Sequence, residues 1–203
     1  METMDLRAGW TPERGVDGGH ATEIDAARIA IEGRPHERAR LAVRSLRHLL
    51  RDPDDTVQVL LFGLAVNAGR LPQLLTRIAM ADGGIELLRE RPTLDSHTVD
   101  LARLRTLPPT TLGGAYVRHL DDHHLDPDLF QPPPGLPEVP RFVAQRLRQT
   151  HDVWHVLTGY APDVEGELAL QGFTFAQIGM PSSLLIATLG TLAKAPRAWR
   201  ASR

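Results

Sequence analysis

Four side chains toward the C-terminal end of the chain have the types and the spacing of a metal site: His151, Asp152, His155 and Glu167. In a helix, residues four apart stack on one face, so the imidazoles of His151 and His155 can converge on one ion. Asp152 flanks that face. The run Gly159-Tyr160-Ala161-Pro162 then reverses the chain, and a second helix begun at Asp163 carries Glu167. At roughly 1.5 Å rise per residue, His155 and Glu167 each stand about 6 to 7 Å from the bend, which puts them level. Gly166, lacking a side chain, predicts a close approach of the two helices. Two imidazoles and two carboxylates suit zinc first and Fe(II) second, with magnesium, which prefers oxygen, as the remaining divalent alternative. In this scheme His151, His155 and Glu167 bind the ion, and Asp152 is either a fourth ligand or a base beside it.

An isolated His-x-x-x-His pair is more often two ordinary helix residues than a ligand pair. The adjoining Asp and the register-matched Glu decide for a site here. A second cluster, His119, His123 and His124 with Asp121 and Asp122, sits where a helix runs into a proline-rich loop, and polar residues belong there in any case. It is the lesser candidate for holding a metal, and no site is assigned to it. Arg146 and Arg148 precede the motif on its own helix and can orient a carboxylate or phosphate of a substrate, although salt bridging is the commoner fate of such arginines. The apolar stretch 180–193, with Leu184, Leu185, Ile186 and Leu189, is too short to span a bilayer. It reads first as a buried core helix and second as a groove for an isoprenoid tail, with Leu185 and Leu189 as lipid contacts. Lys194, Arg197, Arg200 and Arg203 then follow to meet anionic headgroups.

These residues need helices to position them, and the chain supplies little else. Apolar residues recur at helical spacing in 35–50, 57–68, 71–80, 99–107, 112–119 and 142–157, whereas strand-like alternation is nearly absent. Ser96 is placed as the cap of the helix at 99–107, Thr110 or Thr111 as the cap of the next, and Asp163 as the cap of the Glu167 helix. Six prolines between 126 and 140 forbid a continuous helix there. The expected fold is all-α, a single compact bundle of about seven to nine helices over 21–203, with a flexible tail at 1–20 and the Pro-rich loop at 126–140. With 203 residues and 42% hydrophobic content, one core is affordable. There is no cysteine, so thiolate ligands and cysteine nucleophiles are excluded. A net charge of −2 from 23 basic and 25 acidic residues spread along the chain leaves no footprint for nucleic acid. No apolar leader and no run of about 18 apolar residues occurs, which predicts a cytoplasmic protein, at most peripheral at the inner face of the membrane.

The pattern His-Asp-x-x-His, eleven residues, then Glu, as it stands at His151, Asp152, His155 and Glu167, resembles the signature of the fourth coenzyme-Q-biosynthesis protein family. The likeness extends to Arg89-Glu90-Arg91-Pro92, Leu107-Pro108, Leu112-Gly113, Tyr116, Gln145-Arg146-Leu147-Arg148, Gly166-Glu167 and Gly179-Met180-Pro181, and covers roughly 38–191. The resemblance implies an all-helical fold, a divalent metal usually assigned as zinc, and a role in making ubiquinone: removal of the ring carboxyl at C1 and hydroxylation of that carbon. It further implies a lipid-binding face for a prenylated quinone precursor or another isoprenoid lipid, and assembly as a homodimer or with other quinone-biosynthesis proteins. Gly172-Phe173-Thr174 stands where mitochondrial members tend to have Trp-Phe-Glu, which points to a bacterial offshoot with a different lipid. Two rivals remain: a non-catalytic lipid-binding scaffold of a quinone-biosynthesis complex, and a zinc hydrolase by analogy with His-Glu-x-x-His, for which no edge strand is present to hold a peptide.

Overall fold

Ten α-helices and no strand occur among the described residues. The computed structural model describes residues 18–49, 51, 55–129, 132 and 135–201, and of 18–23, 56 and 193–201 the backbone alone. The helices are α1 (Gly18–Glu32), α2 (Pro35–Leu49), α3 (Thr56–Asn67), α4 (Leu71–Met80), α5 (Gly84–Glu90), α6 (Leu101–Arg105), α7 (Leu112–Asp122), α8 (Glu138–Thr158), α9 (Val164–Ile178) and α10 (Pro181–Ala201). The all-α expectation holds, and the helix beyond the expected range is α1. Its buried face consists of Ala27 and Ala30, both fully shielded, and small side chains give a faint apolar stripe in sequence. The expected tail at 1–20 falls mostly outside the described residues, 18–20 being part of α1.

The chain forms two compact units, Met1–Leu94 with Asp128–Arg148, and Asp95–Pro127 with Gln149–Arg203. In the first, α1, α2 and α3 close around Ala30, Leu41 and Ala65, with Ala26, Ile29, Ala42 and Leu64 packed against them. Asp55 caps α3 by accepting from the Gln58 amide at 3.1 Å. The Pro-rich stretch ends earlier than expected. Helix α8 begins at Glu138, not at 142, with Pro140 in its first turn, where a missing N–H leaves no intrahelical bond unmade.

In the second unit, α6 starts after Asp100, whose carboxylate accepts from the Arg103 amide at 2.9 Å. This corrects the expected cap at Ser96. Asp95 takes the amides of His97 and Thr98 at 3.1 and 3.0 Å, making a separate turn, so the helix cannot begin until 101. Thr111 caps α7 as expected, accepting from Gly114 N at 3.2 Å. Arg105 then ties α6 to α7 through a two-pronged pair with Asp121 at 2.9 and 2.7 Å. Helices α9 and α10 pack together where Gly190 leaves room for Leu168, which a Cβ at that position would meet at 2.3 Å. Leu170 is fully buried, worth about 1.5 to 3 kcal/mol relative to leaving it in water. The expectation of a buried core helix at 180–193 is met only at its start. Met180, just before α10, and Ser182 and Ser183 in its first turn are buried, but Leu184, Leu185, Leu189 and Leu192 are exposed. The side chains of Lys194, Arg197, Arg200 and Arg203 lie outside the described residues.

Candidate metal centre

Helix α8 delivers the two histidines and α9 delivers the glutamate, and the turn between them is built from local signals. Gly159 leaves the helix at φ +73°, a conformation that favours glycine, while its amide still bonds His155 O at 2.9 Å. Asp163 caps α9 as expected, accepting from the amides of Glu165 and Gly166 at 3.0 and 2.8 Å. Trp154 and Phe173 meet edge to face at 5.6 Å, joining α8 to α9 farther from the turn.

The consequence is convergence. His155 Nε2 lies 3.1 Å from Glu167 Oε1, and His151 Nε2 lies 3.3 Å from Glu167 Oε2. The three potential ligand atoms are all within 4.8 Å of one another. Asp152 does not join them. Its Oδ1 is 3.6 Å from His151 Nδ1, on a side chain 12% exposed.

His155 is the anchor, with a side chain only 1% exposed. Its Nδ1 donates to the Tyr160 carbonyl at 2.9 Å, which fixes the ring and turns Nε2 toward Glu167. Both ring nitrogens therefore face acceptors, and a cation among Nε2, its His151 counterpart and the carboxylate satisfies all three at once. By donor chemistry and by orientation, these residues fit a divalent ion. Gly166 contributes otherwise than expected. A Cβ there would meet the Ala161 carbonyl oxygen at 1.9 Å, so the close approach is made by the connecting turn, whose Tyr160 holds His155.

Burial pushes the Glu167 carboxyl up, but hydrogen bonds with His151 and His155 and the charge on both rings outweigh it and hold the group well below the usual carboxylate range. The His119 pKa lies below that of an ordinary imidazole: burial, then the neighbouring His155 and His123, lower it against the pull of Asp152 and Asp122. The sequence assigns this residue no role in the site. Its ring is stacked on His155 with centroids 5.4 Å apart and planes 21° from parallel, and His123 stands edge-on to it at 5.0 Å. Arg146 and Arg148 lie in the first unit, partly buried, whereas the histidines and Glu167 lie in the second. Leu185 and Leu189 are on the exposed side of α10.

Residues 28–201 match the model of the family described as coenzyme Q (ubiquinone) biosynthesis protein Coq4. The chain belongs to this family. Among curated Coq4 proteins, the ubiquinone biosynthesis protein of Schizosaccharomyces pombe is 36% identical over 60% of this chain and 45% of its own length. That of Laccaria bicolor is 36% identical over 79% of this chain and 54% of its own. That of Phaeosphaeria nodorum is 37% identical over 81% and 57%. The chain thus spans about half the length of the Coq4 relatives it matches. The expected cytoplasmic placement is corrected by these names, since all three relatives are named mitochondrial. Its physical basis was weak: mitochondrial leaders are amphipathic and Arg-rich, so the lack of an apolar N-terminal stretch does not argue for the cytoplasm.

Proposed function

We propose that this chain serves ubiquinone biosynthesis as a divalent-metal protein acting at C1 of a prenylated aromatic ring, where the bond to the carboxyl breaks and carbon dioxide leaves, while one oxygen of dioxygen enters at C1 and the other leaves as water with two protons and two electrons from an external reductant. His151, His155 and Glu167 hold the ion, and Asp152 takes up a proton at a carboxylate oxygen beside it. The observation that carries this reading is the convergence of three ligand atoms within 4.8 Å around an imidazole already oriented by a backbone carbonyl.

A bound divalent cation supplies Lewis-acid polarisation of a carboxylate or phenol oxygen and, when it is Fe(II) rather than zinc, electrons for oxygen chemistry as well. The protein's part is to keep His155 dry and fixed while Glu167, with 42% of its side chain exposed, stands on the open side where a substrate arrives. Asp152, outside the converging set, remains available as a proton acceptor. The exposed leucines of α10 favour a second component, a face for the isoprenoid chain, which equally suits a scaffold that presents lipid without turnover. Assembly with other quinone-biosynthesis proteins, or with a second copy, belongs to the same proposal.

Elemental analysis of wild type beside His155→Ala and Glu167→Ala tests the site. One equivalent of zinc or iron in wild type, absent from both variants, is the expected result. Failure of wild type to take up any divalent metal after reconstitution would end the catalytic reading and leave the scaffold.

A further inference from the structure

On α7, outside the His-Asp-x-x-His pattern, His119 presents a buried nitrogen with nothing to bond. Its Nε2 is shielded from water and has no hydrogen-bond partner among the described residues. Leaving an imidazole nitrogen in that condition is costly, and phenylalanine would stack on a neighbouring ring without that cost. Buried polar atoms without partners are uncommon in folded proteins and call for a cause, such as a bound water, an ion or a catalytic role. An ion held by the two ligand histidines and Glu167 is not that cause, because His119 stands outside the converging set. His155, in contrast, has both its nitrogens engaged by protein. The His119 ring is stacked on His155, 5.4 Å away and nearly parallel, so its unpartnered nitrogen belongs to a ring that adjoins the converging side chains.

We propose that His119 is a substrate-contacting residue of this centre, its Nε2 reserved for an oxygen of the aromatic ring bound there. The inference rests on the reading above that the site takes a ring carrying carboxylate or phenol oxygens. It adds to the three converging side chains a group from a different helix, whose task is to orient the ring by its polar end.

The test uses the full chain loaded with Co(II), whose visible spectrum reports the site, in wild type, His119→Phe and His119→Gln. Each is titrated with azide, which needs only the ion, and with 4-hydroxybenzoate, which carries both oxygens on one ring; melting temperatures are measured alongside. His119→Phe should retain cobalt, bind azide as wild type does, melt at the same or a higher temperature, and bind 4-hydroxybenzoate weaker by on the order of tenfold. His119→Gln, which keeps an amide at similar reach, should fall between. Unchanged 4-hydroxybenzoate affinity in His119→Phe would show a stacking residue or a water holder and overturn the inference alone. Loss of cobalt from both variants would also overturn it, because His119 would then be a support for His155. Wild type that binds cobalt and azide but not 4-hydroxybenzoate would remove the ring-substrate reading and this inference with it.

Discussion

His155 is bonded on both sides of its ring, to Tyr160 O at 2.9 Å and to Glu167 at 3.1 Å, and it is the more buried of the two converging histidines. Its loss should therefore damage the fold as well as the site. His155→Ala is expected to abolish metal uptake and to cost about 1 to 3 kcal/mol, because a buried side chain and its hydrogen bond to the Tyr160 carbonyl are lost, whereas His151→Ala should abolish uptake at smaller cost. Calorimetry of both variants without metal checks the difference. Glu167 makes a prediction about pH. A carboxyl whose folded pKa is depressed stabilises the fold above its unfolded value, about 4.3, and that contribution is lost as pH falls through the lower folded value. In metal-free protein, Glu167→Gln should melt below wild type at neutral pH, and the gap should close in strong acid; a gap independent of pH would refute the assignment. The histidine pair and Glu167 were legible in the sequence because helical period and a short turn relate them. Asp152 was read as a candidate fourth ligand by adjacency, but neighbours along a helix do not share a face, and it falls outside the converging set. His119 was noted in a separate cluster and given no part in this site, because no local spacing connects α7 to α8.

At the scale of the element, the hairpin of α8 and α9 is what aligns these atoms, and its turn is tighter than its length suggests. The Ala161 carbonyl rests on Gly166, and the neighbouring Tyr160 carbonyl holds His155. A methyl group at 166 must therefore push the turn outward and loosen the ligand it orients. Gly166→Ala should weaken metal binding by about 10- to 100-fold, the usual scale for disturbing a group that orients a ligand. Gly172 on the same helix has nothing within 4 Å of a built Cβ, so Gly172→Ala should leave metal affinity alone and stabilise α9 by about 0.5 to 1 kcal/mol. Competition with a chelator, together with thermal melts, distinguishes the two; equal metal affinities would mean that the turn adjusts without moving His155. The sequence exposed this hairpin well, through Gly159 as a stop and Asp163 as a cap. It misassigned what Gly166 touches, since helical periodicity carries no information on the path of a turn. The same limit misplaced the start of α6, where Asp95 and Asp100 compete for neighbouring amides and only the three-dimensional turn shows which caps the helix.

At the scale of the whole molecule, no single helix among the described residues is long and apolar enough to cross a membrane. Only Val57–Asn67 with Leu71–Met80 has the joint length and composition, bent by 86°. The surface nevertheless carries an ordered apolar feature. Leu185, Leu189 and Leu192 recur at helical spacing along the exposed side of α10. Between them, Thr188 and Thr191 return their hydroxyls to Leu184 O and Ala187 O, both at 2.7 Å, which engages their polar atoms within the helix. A stripe of this kind is costly to keep in water without a use, and an isoprenoid chain is the use proposed for it. Because these side chains are exposed, Leu185→Ser with Leu189→Ser should change stability by no more than about 0.5 kcal/mol per site. Prenyl lipid recovered with the protein and identified by mass spectrometry should fall sharply in the same variant. Met80→Ser, at a residue 81% exposed in the other unit, provides the comparison. Equal loss in both variants would indicate general stickiness, and undiminished lipid in the double variant would place the tail elsewhere on the molecule.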